Sequence, residues 1–126
     1  MAVHDRRWYG ARAERIAAWR LFWRGYRLVA RNWRCPVGEV DIIARHRGTL
    51  VFIEVKARRS TDIVRPEDQV GAAKQRKLSR LLDAWRQRTG EWDVCCRFDI
   101  AAVVLDDGGR VREFEVIVDA FTYVEA

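Results

Sequence analysis

At 126 residues, 49% of them hydrophobic, the chain is long enough for one buried core and too short for two ordinary domains, so a single domain over 1–126 is expected. No apolar run approaches the roughly 20 residues of a membrane span, "MAVHDRRWYG" lacks the apolar centre of a secretory signal, and three cysteines without a CxxC pair and two isolated histidines offer no zinc or redox motif; a cytoplasmic protein with no membrane partner is expected. The formal charge of +6 suits an anionic partner such as nucleic acid, although basic surface helices often bind nothing.

In chain order, "GARAERIAAWRLFWR" (Gly10 to Arg24) predicts a helix ended by Gly25. At about 100° per residue, Gly10, Glu14, Ala17, Ala18, Leu21 and Phe22 share one face, with Trp19, Trp23 and most of the arginines around the other. Glu14 therefore falls on the side that should meet the core. "YRLVARNW" alternates as a strand. Val40–Ala44 and Thr49–Lys56 are rich in Val, Ile and Phe, with a turn at Gly48 between them. From about Pro66 to Arg88, Val70, Ala73, Lys74, Leu78, Leu81, Leu82 and Trp85 recur at helical spacing. "CRFDIAAVVL" and "VREFEVIVDAF" then read as two strands joined through "DDGG". The order α-β-β-β-α-β-β predicts an α/β domain with a central mixed β-sheet flanked by helices. Charge divides along this order. Residues 1–34 hold nine Arg against two acids and residues 56–90 ten Lys or Arg against four, whereas residues 91–126 hold three Arg against nine acids. Two basic segments thus flank the second and third strands, as an anionic polymer would require.

Those strands set charges among apolar residues. With Arg47 and Gly48 as the turn, His46 pairs with Thr49 and, counting back, Asp41 falls opposite Glu54. Strand alternation puts Glu54 and Lys56 on one face, so Asp41, Glu54 and Lys56 should converge. Two opposed carboxylates repel, and a hard divalent cation compensates them; Asp41, Glu54 and the carbonyl of Val55 suit Mg²⁺ or Mn²⁺. Lys56 then stands where it can orient water or neutralise charge on a phosphate. An ExK tripeptide alone is more often an exposed ion pair. The opposed Asp, strands apolar on both faces and the inward Glu14 favour a site.

"GARAE", "RNWRCPVGEVDIIA", "LVFIEVKAR", "RFD" and "DAF" together resemble the YraN-like family of small bacterial proteins. Asp, an apolar hairpin and Glu-x-Lys resemble the PD-(D/E)xK nuclease superfamily. The resemblance covers nearly the whole chain and implies a restriction-endonuclease-like fold related to archaeal Holliday junction resolvases. It assigns Asp41 and Glu54 to metal binding, Lys56 to catalysis and Glu14 to the helix glutamate. Ala13 stands where a glycine is common, and Val40 where the superfamily name has proline. Lys74 on the second helix and Arg31, Arg34, Arg58 and Arg59 are candidate phosphate contacts. Gln75 resembles a glutamine some relatives place after ExK, Glu39 should form a salt bridge, and Asp99 should support Arg97 or Lys56. Trp19 and Trp23, one turn apart among arginines, offer base stacking, a membrane surface or packing, and packing in the core or in a homodimer is the expectation. The reading is a metal-dependent nuclease acting on DNA, with a non-catalytic nucleic-acid-binding module that docks on DNA or a repair partner as the alternative.

Overall fold

The computed structural model describes residues 4–61 and 70–125. The elements run α1 (Arg6–Trp23), β1 (Arg27–Cys35), β2 (Gly38–His46), β3 (Thr49–Arg59), α2 (Ala72–Thr89), β4 (Cys96–Leu105) and β5 (Val111–Phe121). The five strands lie in sequence order; β3 and β4 are parallel and every other neighbour pair is antiparallel. A parallel pair needs a crossover, which α2 supplies. Among the described residues no helix is long and apolar enough to cross a membrane.

The apolar runs of β3 and β4 are central strands covered on both faces, which is why they read as continuous hydrophobic stretches. On one face Ile42, Ala44, Val51, Ile53, Ala101, Val103 and Leu105 pack against Ala13, Ala17 and Leu21 of α1. On the other, Ile43, Leu50, Phe52 and Phe98 pack against Leu78, Leu81, Leu82 and Trp85 of α2. The β2–β3 hairpin closes through Arg47 (φ +51°) and Gly48 (φ +81°), the two positive φ angles of a tight hairpin turn.

Several expected boundaries move. Helix α1 starts four residues before Gly10, because Asp5 caps it, accepting a 2.9 Å hydrogen bond from the Trp8 amide. The expected start of α2 at Pro66 lies outside the described residues; Val70 and Gly71 precede the helix, and Gly90, at φ +76°, closes it. Phe22, placed inward by the helical wheel, is exposed, as is Ala73. Trp19 and Trp23 are exposed too, which corrects their expected packing in the core. The core stripe of α1 is centred on Ala13, Ala17 and Leu21, so a residue on its margin near the helix end has no sheet beneath it.

Candidate functional site

The hairpin has the register that a two-residue turn dictates, from His46↔Thr49 to Ile42↔Ile53, and the paired ladder ends there. One step further Asp41 would oppose Glu54. Instead the Asp41 side chain takes the place of a ladder group: its Oδ2 accepts a 2.8 Å hydrogen bond from the Val55 amide. A strand residue's N–H and C=O leave the backbone on the same side, so the Val55 carbonyl is also directed toward Asp41.

The β1–β2 ladder keeps its register past the same level but skips one pair, its register shift lying between Leu28 and Ala30. Pairing joins Arg31 to Ile42 and Trp33 to Val40, passing over Asn32 and Asp41, and Asn32 has φ +51°. Asparagine tolerates that left-handed conformation better than most residues. The alternation shifts there, so that Val40 and Ile43 both reach the α2 side. With its amide nitrogen turned toward the carboxylates, Asn32 donates to Glu14 Oε1 at 2.8 Å and to Glu39 Oε1 at 3.0 Å. Sequence reasoning gave Asn32 no role; an asparagine inside an otherwise apolar and basic strand was the available signal.

The carboxylates do not share one sheet face, contrary to the simple alternation argument. Glu14 comes from α1, on one side of the sheet, and Glu54 is drawn toward α2 on the other, where Lys74 Nζ lies 3.4 Å from its Oε2. Asp41 stands between them and acts on both. Burial first, and the charge of Asp41 second, raise the Glu14 pKa, which Arg31 opposes. The same two causes push Glu54 up to about 7 against the opposing charges of Lys74 and Lys56. Glu54 is only 6% exposed, and its Oε2 takes no hydrogen bond; the Lys74 contact is an ion pair without hydrogen-bond geometry. Among the described residues no three His, Cys, Asp or Glu side chains are gathered into a self-sufficient metal cage.

Lys56 lines a hollow of about 340 Å³ with Arg6, Tyr9 and Gly10 of α1 and with Val55, Ala57, Arg58 and Arg59 of β3. Of the other basic candidates, Arg34 pairs with Glu39 at 3.0 Å, and Arg59 pairs with Asp107 and stands over the Tyr9 ring. Gln75 is turned to the Val70 carbonyl, 3.1 Å away. Asp99 holds Arg97, at 3.0 Å.

A five-stranded mixed sheet between two helices, in the order α-β-β-β-α-β-β, defines an α/β protein of the restriction-endonuclease-like kind, with its acidic residues where the ladders around β2 open. The chain belongs to the family described as "Uncharacterised protein family UPF0102", the YraN-like family, whose model matches residues 13–103. Its relatives include the UPF0102 protein of Pelobacter propionicus, 44% identical, with 93% of this chain and 84% of the relative covered. The UPF0102 protein of Symbiobacterium thermophilum is 45% identical over 82% of this chain and 87% of its own. That of Geobacter sulfurreducens is 42% identical over 94% and 91%.

Proposed function

We propose that this chain is a divalent-metal-dependent nuclease that hydrolyses phosphodiesters in DNA, with branched or repair intermediates as its substrates. The observation that carries the reading is Glu54, a carboxylate almost wholly buried, with one oxygen lacking a hydrogen bond, beside a second carboxylate. Such an arrangement is costly unless a cation compensates it. The donors fit a hard cation: Asp41, Glu54 and the Val55 carbonyl are oxygen ligands too few to enclose an ion. Mg²⁺ accepts that, since it keeps waters and shares substrate phosphate oxygens, whereas structural zinc wants four protein ligands. When bound, Mg²⁺ or Mn²⁺ would polarise the phosphate and acidify a water.

The remaining roles fall to the chain's own side chains. Asp41 fixes the gap by binding the Val55 amide, and Glu14 assists from α1. Lys56 orients the attacking water or offsets the charge growing on the phosphate. Lys74 and Arg31 are the basic groups tied electrostatically to the carboxylates, and they meet the phosphate as it approaches.

The test is a cleavage screen over branched, single-stranded and duplex DNA with Mg²⁺ and with Mn²⁺. Asp41→Asn should lower cleavage by about a hundredfold or more, as other lost electrostatic groups at active sites do. DNA affinity should hold or rise, because it rests on Lys and Arg. Wild-type cleavage by the variant would remove Asp41 from the metal site. The alternative, a non-catalytic module docking on DNA, is favoured by one observation: Lys74 already supplies a cation to Glu54. It gains if no substrate is cut and DNA affinity is indifferent to divalent ions.

A further inference from the structure

Helix α1 ends in an aromatic group that the core does not use. Trp19, Phe22 and Trp23 are 64%, 57% and 69% exposed. They touch edge to face, with Trp23 centred 5.8 Å from Trp19 and 5.5 Å from Phe22, so they form one patch. Large exposed apolar patches mark interaction sites. The helix end that carries it is cationic: Arg15, Arg20 and Arg24 interleave with the three rings in the sequence, and Arg20 and Arg24 lie over the Phe114 ring, 5.5 and 5.0 Å from its centre. Beside Trp19 lies a hollow of about 310 Å³ walled by Trp19, Ile16 and Val111, with Arg12, Arg15 and Arg20 at its margin.

We propose that this patch is a stacking platform for unpaired bases of a nucleic-acid strand, its phosphates held by the interleaved arginines. Flat rings among guanidinium groups suit that occupant, because every base has a face to stack while its backbone is anionic. A second copy fits less well: across a two-fold axis Arg15, Arg20 and Arg24 would meet their own counterparts, and like charges brought together oppose association. At about 1.5 Å per helical residue, Trp19 and Trp23 lie roughly 7 to 14 Å along α1 from Glu14. That is a few nucleotides at the roughly 3.4 Å spacing of a stacked strand. Insofar as it rests on the nuclease reading, the platform narrows the substrate to DNA with a single-stranded portion next to the cut.

The test uses the full chain in EDTA and fluorescent oligo-dT, with a blunt duplex of matched length for comparison. The wild type should prefer oligo-dT. Trp19→Leu with Trp23→Leu keeps apolar bulk and removes the flat faces. It should weaken oligo-dT binding by about tenfold or more and duplex binding little, while the salt dependence carried by the arginines persists. If that pair fails to fold by circular dichroism, Trp23→Leu alone, at the most exposed ring, should weaken oligo-dT binding by a smaller factor in the same direction. Unchanged oligo-dT affinity in the folded variant, or a wild type that prefers the duplex, overturns the platform. So does binding to phosphatidylglycerol vesicles, or formation of a dimer in sedimentation, by a wild type that ignores oligo-dT. Because binding is read without metal, these failures leave the nuclease reading standing. A wild type that binds oligo-dT yet cuts no DNA with Mg²⁺ or Mn²⁺ overturns the nuclease reading and leaves the platform.

Discussion

Asp99 and His46 show how single residues fix the sheet that carries the site. Asp99 is buried in β4 and accepts hydrogen bonds from Tyr26 Oη at 2.8 Å, Arg97 Nε at 3.0 Å and the Asp119 amide at 2.9 Å. Arg97 Nη2 lies 2.8 Å from His46 Nδ1, and the His46 ring stacks on Tyr26 with centroids 4.1 Å apart. Since a guanidinium only donates, Nδ1 must accept, which requires neutral His46 with its proton on Nε2. Burial first, then the charges of Arg97 and Arg47, lower the His46 pKa; Asp99 and the Arg24 backbone oppose them. A histidine whose folded pKa lies below its ordinary 6.5 contributes its full stability above that pH and loses it as pH falls through the folded value. Glu54, whose carboxyl is pushed up to about 7, gains stability as pH falls through the same range, so the His46 contribution is read as a difference between proteins. Between pH 7.5 and 5.5 the urea midpoint of His46→Gln, which keeps an acceptor for Arg97 without titrating, should rise relative to that of the wild type. An equal change in both proteins would remove His46 from the acid sensitivity.

At the scale of elements, the rotation of α1 aims Glu14, and the β4–β5 turn holds that rotation. Tyr9 Oη donates to the Asp107 carbonyl at 2.7 Å, and Arg12 Nε donates to the Gly109 carbonyl. Gly109, at φ +84°, leaves no room: a Cβ there would run into the Trp8 ring and the Arg12 side chain. Gly25, at φ +90°, faces open space. Both glycines to alanine should incur the backbone cost of a left-handed conformation, about 1–2 kcal/mol. Gly109→Ala should add roughly 1–3 kcal/mol for overpacking and disturb the seat of α1; Gly25→Ala should not. Denaturant titration measures the difference, and equal losses would mean that the turn does not hold the helix.

For the molecule as a whole, the proposed metal site should be visible in stability as well as in chemistry. Asp41 and Glu54 come from β2 and β3, so an ion held between them ties the two strands together and favours the folded chain by mass action. Adding Mg²⁺ or Mn²⁺ to about ten times its dissociation constant should raise Tm by on the order of a few degrees. In Asp41→Asn the rise should shrink or vanish. A Tm indifferent to both ions in the wild type would remove the metal site, whatever the DNA binding.

The sequence by itself determined the element order and the hairpin register, because strand and helix periodicity and a two-residue turn are local properties of the backbone. It also placed Glu14 on the inner side of α1 and expected a salt bridge at Glu39, whose partner, Arg34, the structure supplies. Tertiary structure alone decided where the charged side chains point. Asn32 adopts a left-handed conformation and the alternation of β2 shifts beside it, so Asp41 lies in the gap between strands, with Glu14 and Glu54 reaching it from opposite sides. Period-two counting cannot anticipate that shift. Nor could it show that Lys74, from a helix twenty residues beyond Glu54 in the chain, would meet that carboxylate, or that Phe22 would stand in solvent. Both depend on how each helix is rotated and how far it extends over the sheet, and long-range packing fixes those quantities.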